Sequence, residues 1–281
     1  MPMHPPSTAM HRGRTAKITG AWHGLRIVAS LSIGVLALQG PVRAEDSFGV
    51  GTTLEDTKEF FTAPLRWDTE DWLYFGGALA AIEAAHEFDT RVRDHFTGDT
   101  RSTLNGGQDK NSLRAAAPTV ALIAGTGLYA AFIRDSDGYR ETWALLEAGA
   151  FSGITAEALG YAGGRERPDA TSSPNDWRAG GDSFPSLHVS VAFAVGTVFA
   201  ESGNDEYRWL RRTVGYGIAT GTAYVRMKEN VHWLSDTVAG GALGIATARF
   251  VLNREYGVDH GSIAFAPVQN GWQLSYSIRT R

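Results

Sequence analysis

Hydrophobic positions in this chain gather into long Ala- and Gly-rich stretches separated by short polar breaks. Their length and spacing predict helices over residues 72–86, 113–133, 140–161, 188–202, 206–225 and 232–253. Two-residue alternation is confined to the C-terminus. There Asn270-Gly271, a strong hairpin-turn dipeptide, separates residues 263–269 from 272–278, and Trp272, Leu274, Tyr276 and Ile278 alternate along the second arm. The expected fold is all-α, a helical bundle closed by a small C-terminal β-hairpin. Residues 46–72, polar but aromatic-bearing, read as a connection, as do residues 91–110, with turns at Gly98 and Gly106-Gly107.

The N-terminus carries a different pattern. A basic stretch over 11–26 precedes the apolar run 27–38, and Val42-Arg43-Ala44 puts small residues where a signal peptidase inspects them. A signal peptide over 1–44, cleaved after Ala44, is the expectation, with export to the periplasm or cell envelope. The competing reading is an uncleaved anchor, although the apolar run is short for a membrane span. A further stretch, from Ala115 to Ile133, is uncharged and long enough to cross a bilayer, but Ala, Gly and Thr weaken its hydrophobicity. Glu83, Glu147 and Glu157 interrupt other stretches, which suits a soluble bundle or a membrane bundle with polar faces turned inward; the mean hydropathy of -0.18 favours the former. The expected division is 1–44 signal peptide, 45–255 helical domain and 256–281 hairpin extension.

At 281 residues and 43% hydrophobic content, the chain can bury a full core. Its formal charge of -4 conceals an asymmetry. Residues 1–44 hold Arg12, Arg14, Lys17, Arg26 and Arg43 and no acidic group, so the remainder is strongly acidic. A nucleic-acid partner, which calls for a basic stripe, is therefore excluded. There is no cysteine, which rules out disulfides, thiolate chemistry and cysteine-ligated zinc and agrees with an oxidising compartment.

Candidate chemistry lies in three motifs: Arg165-Glu166-Arg167-Pro168, Phe184-Pro185-Ser186-Leu187-His188, and Arg226 followed by His232 and Asp236. Arginines offer planar, permanently charged forks to an oxyanion, and two histidines can divide nucleophile and acid–base roles. Ser186 and His188 fall at a predicted helix start, where free amides and the helix dipole favour an anion. The plainer alternative makes Ser186 an N-cap and His188 a surface residue. Likewise the His232–Asp236 spacing, i and i+4, would put imidazole and carboxylate on one helix face, either as an oriented nucleophile or as a local stabilising pair. His86 and His260 stand beside acidic residues without metal-ligand spacing and read as surface or capping groups.

In order and spacing these motifs resemble the type 2 phosphatidic acid phosphatase (PAP2) superfamily, which includes class A acid phosphatases and vanadium haloperoxidases. The resemblance covers roughly residues 143–248. Arg167-Pro168, Pro185-Ser186-x-His188, and Arg226 with His232 and Asp236 match the family pattern. Three positions depart: Gly160 stands where the family has a phosphate-binding lysine, Leu187 replaces the glycine of the second motif, and Val225 precedes Arg226 in place of serine. Arg165, or more weakly Lys228, is a candidate for the missing cation. The resemblance implies metal-independent phosphomonoester hydrolysis through a phosphohistidine, on a lipid phosphate, a polyprenyl pyrophosphate or a small phosphate ester. In that scheme His232 is the nucleophile oriented by Asp236, and His188 is the acid and base. Arg167, Arg226, Ser186, the Leu187 amide and Arg165 bind phosphate. No metal or cofactor is implied, and the partners are the phosphorylated substrate and a membrane surface. A lipid phosphotransferase, a vanadate-dependent haloperoxidase and a non-catalytic phosphate-binding envelope protein are the alternatives.

Overall fold

The structure, a computed structural model, describes residues 50–97, 112–203, 205–257, 262–268 and 271–277, all within the unit Pro41–Arg281. The expected signal peptide and its cleavage point lie outside the described residues, as do residues 98–111, with the expected turns at Gly98 and Gly106-Gly107, and the turn residues 269 and 270. Eight helices occur among the described residues: α1 (Val50–Thr62), α2 (Thr69–His86), α3 (Asp89–Thr97), α4 (Ser112–Ile133), α5 (Ser136–Gly163), α6 (Leu187–Glu201), α7 (Arg208–Lys228) and α8 (Leu234–Tyr256). Short 3-10 turns cover Ala63–Arg66 and Asp205–Tyr207. Strands β1 (Ser262–Val268) and β2 (Gly271–Ser277) pair antiparallel, with Phe265 opposite Leu274 and Val268 opposite Gly271.

Each predicted helix forms, with shifted ends. Helix α2 starts at Thr69 because the Asp68 carboxylate accepts from the amides of Glu70 and Asp71 while Asp71 returns a bond to the Asp68 amide, a reciprocal cap. Asp135 caps α5 one way only, accepting from the amides of Asp137 and Gly138, and Gly164, in the left-handed region at φ 59°, ends it. Two expected connections contain helices instead. Residues 50–62 form α1, and 89–97 form α3, whose short polar sequence has too little periodicity to announce itself.

Helix α6 is the central element, packed on α5, α7 and α8. Close approach is what its small residues supply: a Cβ on Gly196 would stand 2.5 Å from the carbonyl oxygen of Gly215 on α7, so only glycine fits that crossing. Leu145 and Phe151 of α5, Val195 and Val198 of α6, and Val251 and Leu252 of α8 form the buried core. Truncating one of them costs about 2–5 kcal/mol. Helix α1 joins this core through Phe60, which stacks on Phe151 with ring centroids 4.9 Å apart and meets Phe250 edge-on at 5.2 Å.

Several faces leave large apolar side chains outside. Trp72, Leu73, Phe75 and Leu79 of α2 are exposed, as are Leu128, Tyr129 and Phe132 of α4. By length and composition, residues 113–133 of α4 could cross a membrane.

Candidate active site

The three motifs converge at one end of the bundle, where α5 and α7 end and α6 and α8 begin. After Gly164 the chain leaves α5 as an irregular loop that folds back on itself: Glu166 N donates to Asp176 O at 2.9 Å and Ser183 N to Arg165 O at 3.0 Å. The Phe184–Pro185 peptide bond is cis, and Ser186 then opens α6. At the opposite side Asn230, at φ 57°, turns the chain out of α7 toward His232, a left-handed conformation that asparagine tolerates better than most residues.

His232 is buried, and its Nδ1 lies 2.8 Å from the Ser183 carbonyl oxygen. A carbonyl only accepts, so Nδ1 carries the proton and Nε2 the lone pair. Burial pushes the imidazole pKa well below its ordinary value, and the positive charges of Arg226 and Arg167 push it the same way, against Asp182 and the Ser183 bond. The ring is neutral at physiological pH, with one nitrogen available as a nucleophile.

The expected His232–Asp236 hydrogen bond is replaced by a longer route. His232 precedes α8, and Trp233 is extended at φ -74° and ψ 161°, so the i, i+4 helical geometry never forms. Asp236 Oδ2 stands 3.7 Å from Nδ1, and is committed elsewhere. It accepts from the Ser183 hydroxyl at 2.5 Å and the Trp233 amide at 2.8 Å. Asp236 therefore acts on His232 through Ser183, whose hydroxyl it holds and whose carbonyl holds the ring. Burial raises the Asp236 carboxyl to about 6, against the pull of Arg165, Ser183 and the Trp233 amide.

Arg165 is the main correction among the phosphate candidates. Its side chain is 1% exposed and turned inward: Nη1 donates to Asp236 Oδ1 at 2.6 Å and Ser235 Oγ at 2.8 Å, and Nη2 to Asp89 Oδ2 at 2.7 Å and Pro174 O. The guanidinium also lies over the Trp177 and Trp233 rings, at 4.9 and 5.6 Å. With every face occupied by protein, it supports the site instead of receiving phosphate. Asp89 completes this network, accepting from Ser235 N at 2.8 Å and Ser235 Oγ at 2.7 Å. His86, expected at the surface or as a cap, belongs to it as well, with Nδ1 2.8 Å from Asp89 and Nε2 2.9 Å from Asn175. No sequence signal links Asp89 to Ser235, 146 positions apart.

Arg167 faces the other way. It makes a bidentate pair with Asp182, Nε to Oδ1 at 2.8 Å and Nη2 to Oδ2 at 3.0 Å, and the Asp182 side chain is 62% exposed. Partial burial alone would raise the Asp182 carboxyl, but Arg167 outweighs it and leaves the group below its usual range. Arg226 is buried at the end of α7, 3.4 Å from Glu229. Lys228, two residues after Arg226, is exposed, its Nζ 5.9 Å from the Tyr224 ring.

Ser186 is the N-cap residue of α6 by position, yet its side chain caps nothing. Its Oγ is fully buried and has no hydrogen-bond partner among the described residues. Leu187 opens α6, where the first-turn amides have no intrahelical acceptor, and His188 follows, half-buried. Packing here is tight: a Cβ on Gly240 of α8 would stand 2.8 Å from the Ser186 carbonyl oxygen. Gly160, where the resemblance expects lysine, is buried against the 182–184 loop, so a Cβ there would meet Phe184 O at 3.6 Å.

These residues fall inside a recognised family. The model of the PAP2 superfamily matches residues 141–257. Over that stretch the chain is similar to the PAP2 superfamily. A curated relative, the lipid A 1-phosphatase of Porphyromonas gingivalis (strain ATCC 33277), is 35% identical over 96 residues, a stretch covering 34% of this chain and 20% of that protein. The chain thus aligns with about a fifth of that relative's length. A solved structure, the first transmembrane PAP2 type phosphatidylglycerolphosphate phosphatase from Bacillus subtilis, is 16% identical with a TM-score of 0.36, covering 83% of this chain and 97% of that one. Within the PAP2 match lie all three motifs and the loop that joins the first to the second.

Proposed function

We propose that this PAP2 protein is a phosphatase of lipid phosphate monoesters that works through a phosphohistidine on His232. The observation that carries the reading is the state of that ring: neutral, its Nδ1–H donated to the Ser183 carbonyl, and its environment made positive by Arg226 and Arg167. Cations that depress a histidine pKa also receive a dianion. In the proposed reaction Nε2 attacks phosphorus, the phosphorus–oxygen bond to the alcohol breaks, and the alkoxide takes a proton from His188. His188 then removes a proton from water, whose oxygen displaces His232 and releases inorganic phosphate. Arg167 and Arg226, the Ser186 hydroxyl and the first amides of α6 stabilise the equatorial oxygens. The buried, unpartnered Ser186 Oγ supports this reading, because an orphan hydroxyl beside a helix N-terminus gains its missing partner when an oxyanion arrives.

The lipid part of the reading rests on the exposed aromatic and aliphatic faces of α2 and α4, which fit an apolar surface better than water. A P. gingivalis relative named for a lipid phosphate agrees with it. Export to the envelope remains part of the proposal, on the basic, apolar and small-residue order of residues 11–44.

The test is phosphate release from phosphatidic acid and from p-nitrophenyl phosphate in EDTA, with and without vanadate. Vanadate-sensitive release that favours the lipid is expected, and His232→Ala should lower kcat by about 10⁴-fold or more. Wild-type turnover by that variant would sink the assignment.

A further inference from the structure

A second cluster of ionisable groups lies away from the phosphate site, where α1, α5 and α8 meet. Asp56, Glu147 and Glu255 each place a carboxylate oxygen within 4.8 Å of the other two, and all three residues are buried. Arginines take part of this charge. Arg254 binds Asp56 Oδ1 at 2.8 Å through Nε and Glu59 at 2.9 Å through Nη1, and Arg140 binds Glu255 Oε2 at 3.3 Å. Glu147 is 5% exposed, it projects from the middle of α5 into the cluster, and neither of its carboxylate oxygens has a hydrogen-bond partner among the described residues.

A carboxylate buried without a donor is costly: either it keeps a proton, as burial and the neighbouring carboxylates favour by raising Glu147 to about 8, or a cation between the oxygens takes that proton's place. The charge balance says how large a cation charge the cluster can take. With all four carboxyls ionised, Asp56, Glu59, Glu147 and Glu255 face Arg140 and Arg254, a surplus of two negative charges that one divalent cation would neutralise. Donor chemistry narrows the ion further. Oxygen-only carboxylate ligands on three separate helices, with Asp56 Oδ2, Glu255 Oε1 and both Glu147 oxygens unclaimed by arginine, suit a hard cation of flexible coordination at about 2.3–2.6 Å, and water can complete its shell.

We propose that Asp56, Glu147 and Glu255 form a calcium-binding site that ties helix α1 to the bundle. Because two of its carboxylates are shared with arginines, its affinity belongs to the weak class, with a Kd of about 10⁻⁴–10⁻³ M. The ligands join the N-terminal helix to α5 and α8, so bound calcium stabilises the folded chain and not the unfolded one.

The experiment uses the full chain freed of metal by chelation, with calcium chloride alone as the probe. Isothermal calorimetry should show one calcium per chain, and calcium at about 10 mM should raise the melting temperature by several degrees. Glu147→Gln, which keeps the volume of the side chain, should lose both the heat and the melting shift while circular dichroism shows an intact fold. Should that variant fail to fold, Asp56→Asn on α1 provides the same comparison. Absence of calcium binding by the wild-type chain, or a melting shift that persists in either variant, would overturn the proposal. Phosphatase activity does not enter these readouts, so they stand or fall apart from the reading of His232.

Discussion

Two arginines, two positions apart in one loop, end in opposite surroundings. Arg165 is sealed among Asp89, Asp236, Ser235, Trp177 and Trp233, whereas Arg167 meets an exposed Asp182 at the surface. The segment between them is irregular and folds back on itself, so no strand periodicity holds i and i+2 on one face, and one side chain enters the protein while its neighbour but one stays near the surface. The inward guanidinium holds the carboxylate that holds Ser183, which in turn orients His232. The outward one is bound to a partner that a phosphate dianion can displace. A charge used for binding must be releasable, and a charge used for positioning must not be.

That difference is open to direct attack, beginning with the largest effect. Arg165→Ala leaves Asp89 and Asp236 buried without their cation, and should destabilise the fold by about 3–5 kcal/mol in denaturant unfolding. A loss of less than about 1 kcal/mol would mean the network is not holding the site. Arg167→Ala should do the reverse. Its half-exposed ion pair contributes little stability, about 0–1 kcal/mol, but loss of a transition-state donor should lower kcat/KM by about 10²–10³-fold. If the two variants exchange these phenotypes, the assignment of inward and outward roles is wrong.

Acid sharpens the same contrast. Asp236 is charged above about pH 6 and neutral below it, and protonation weakens both its pair with Arg165 and its hold on Ser183. His232 already lacks a proton at neutral pH and, with its pKa pushed down, adds no limb near its ordinary value. kcat/KM should therefore fall below about pH 6, by about tenfold per pH unit. Two phosphate esters with different second ionisations separate protein from substrate, because a limb that stays in place belongs to the enzyme. A limb that moves with the ester would remove Asp236 from the explanation. The smallest effect is expected from Asp182→Asn. Freed of its competitor, Arg167 should bind substrate more tightly, and KM should fall about two- to fivefold with kcat little changed.

Much of this molecule was legible before any coordinates. All six predicted helices exist, because each carries an apolar stretch long enough to be paired with a neighbour, and the three motifs lie inside the stretch that the PAP2 model matches. What escaped was of two kinds. Helices α1 and α3 are short and polar, and packing supplies what their own sequence does not: Phe60 against Phe151 for α1, and Asp89 against Ser235 and Arg165 at the start of α3. The i, i+4 spacing of His232 and Asp236 implies a shared helix face, but the helix begins two residues after His232, at Leu234.

The order of motifs along the chain determined which residue types would come to one end of the bundle: a histidine, a carboxylate, arginines and a serine at a helix start. Tertiary structure alone decided which arginine faces in, that Ser183 stands between Asp236 and His232, and that Asp89 and Glu147 are buried groups with partners or vacancies to fill. The physical reason is that chemical identity is written locally, while burial and hydrogen-bond partnership depend on segments that can be well over a hundred residues apart, as Asp89 and Ser235 are.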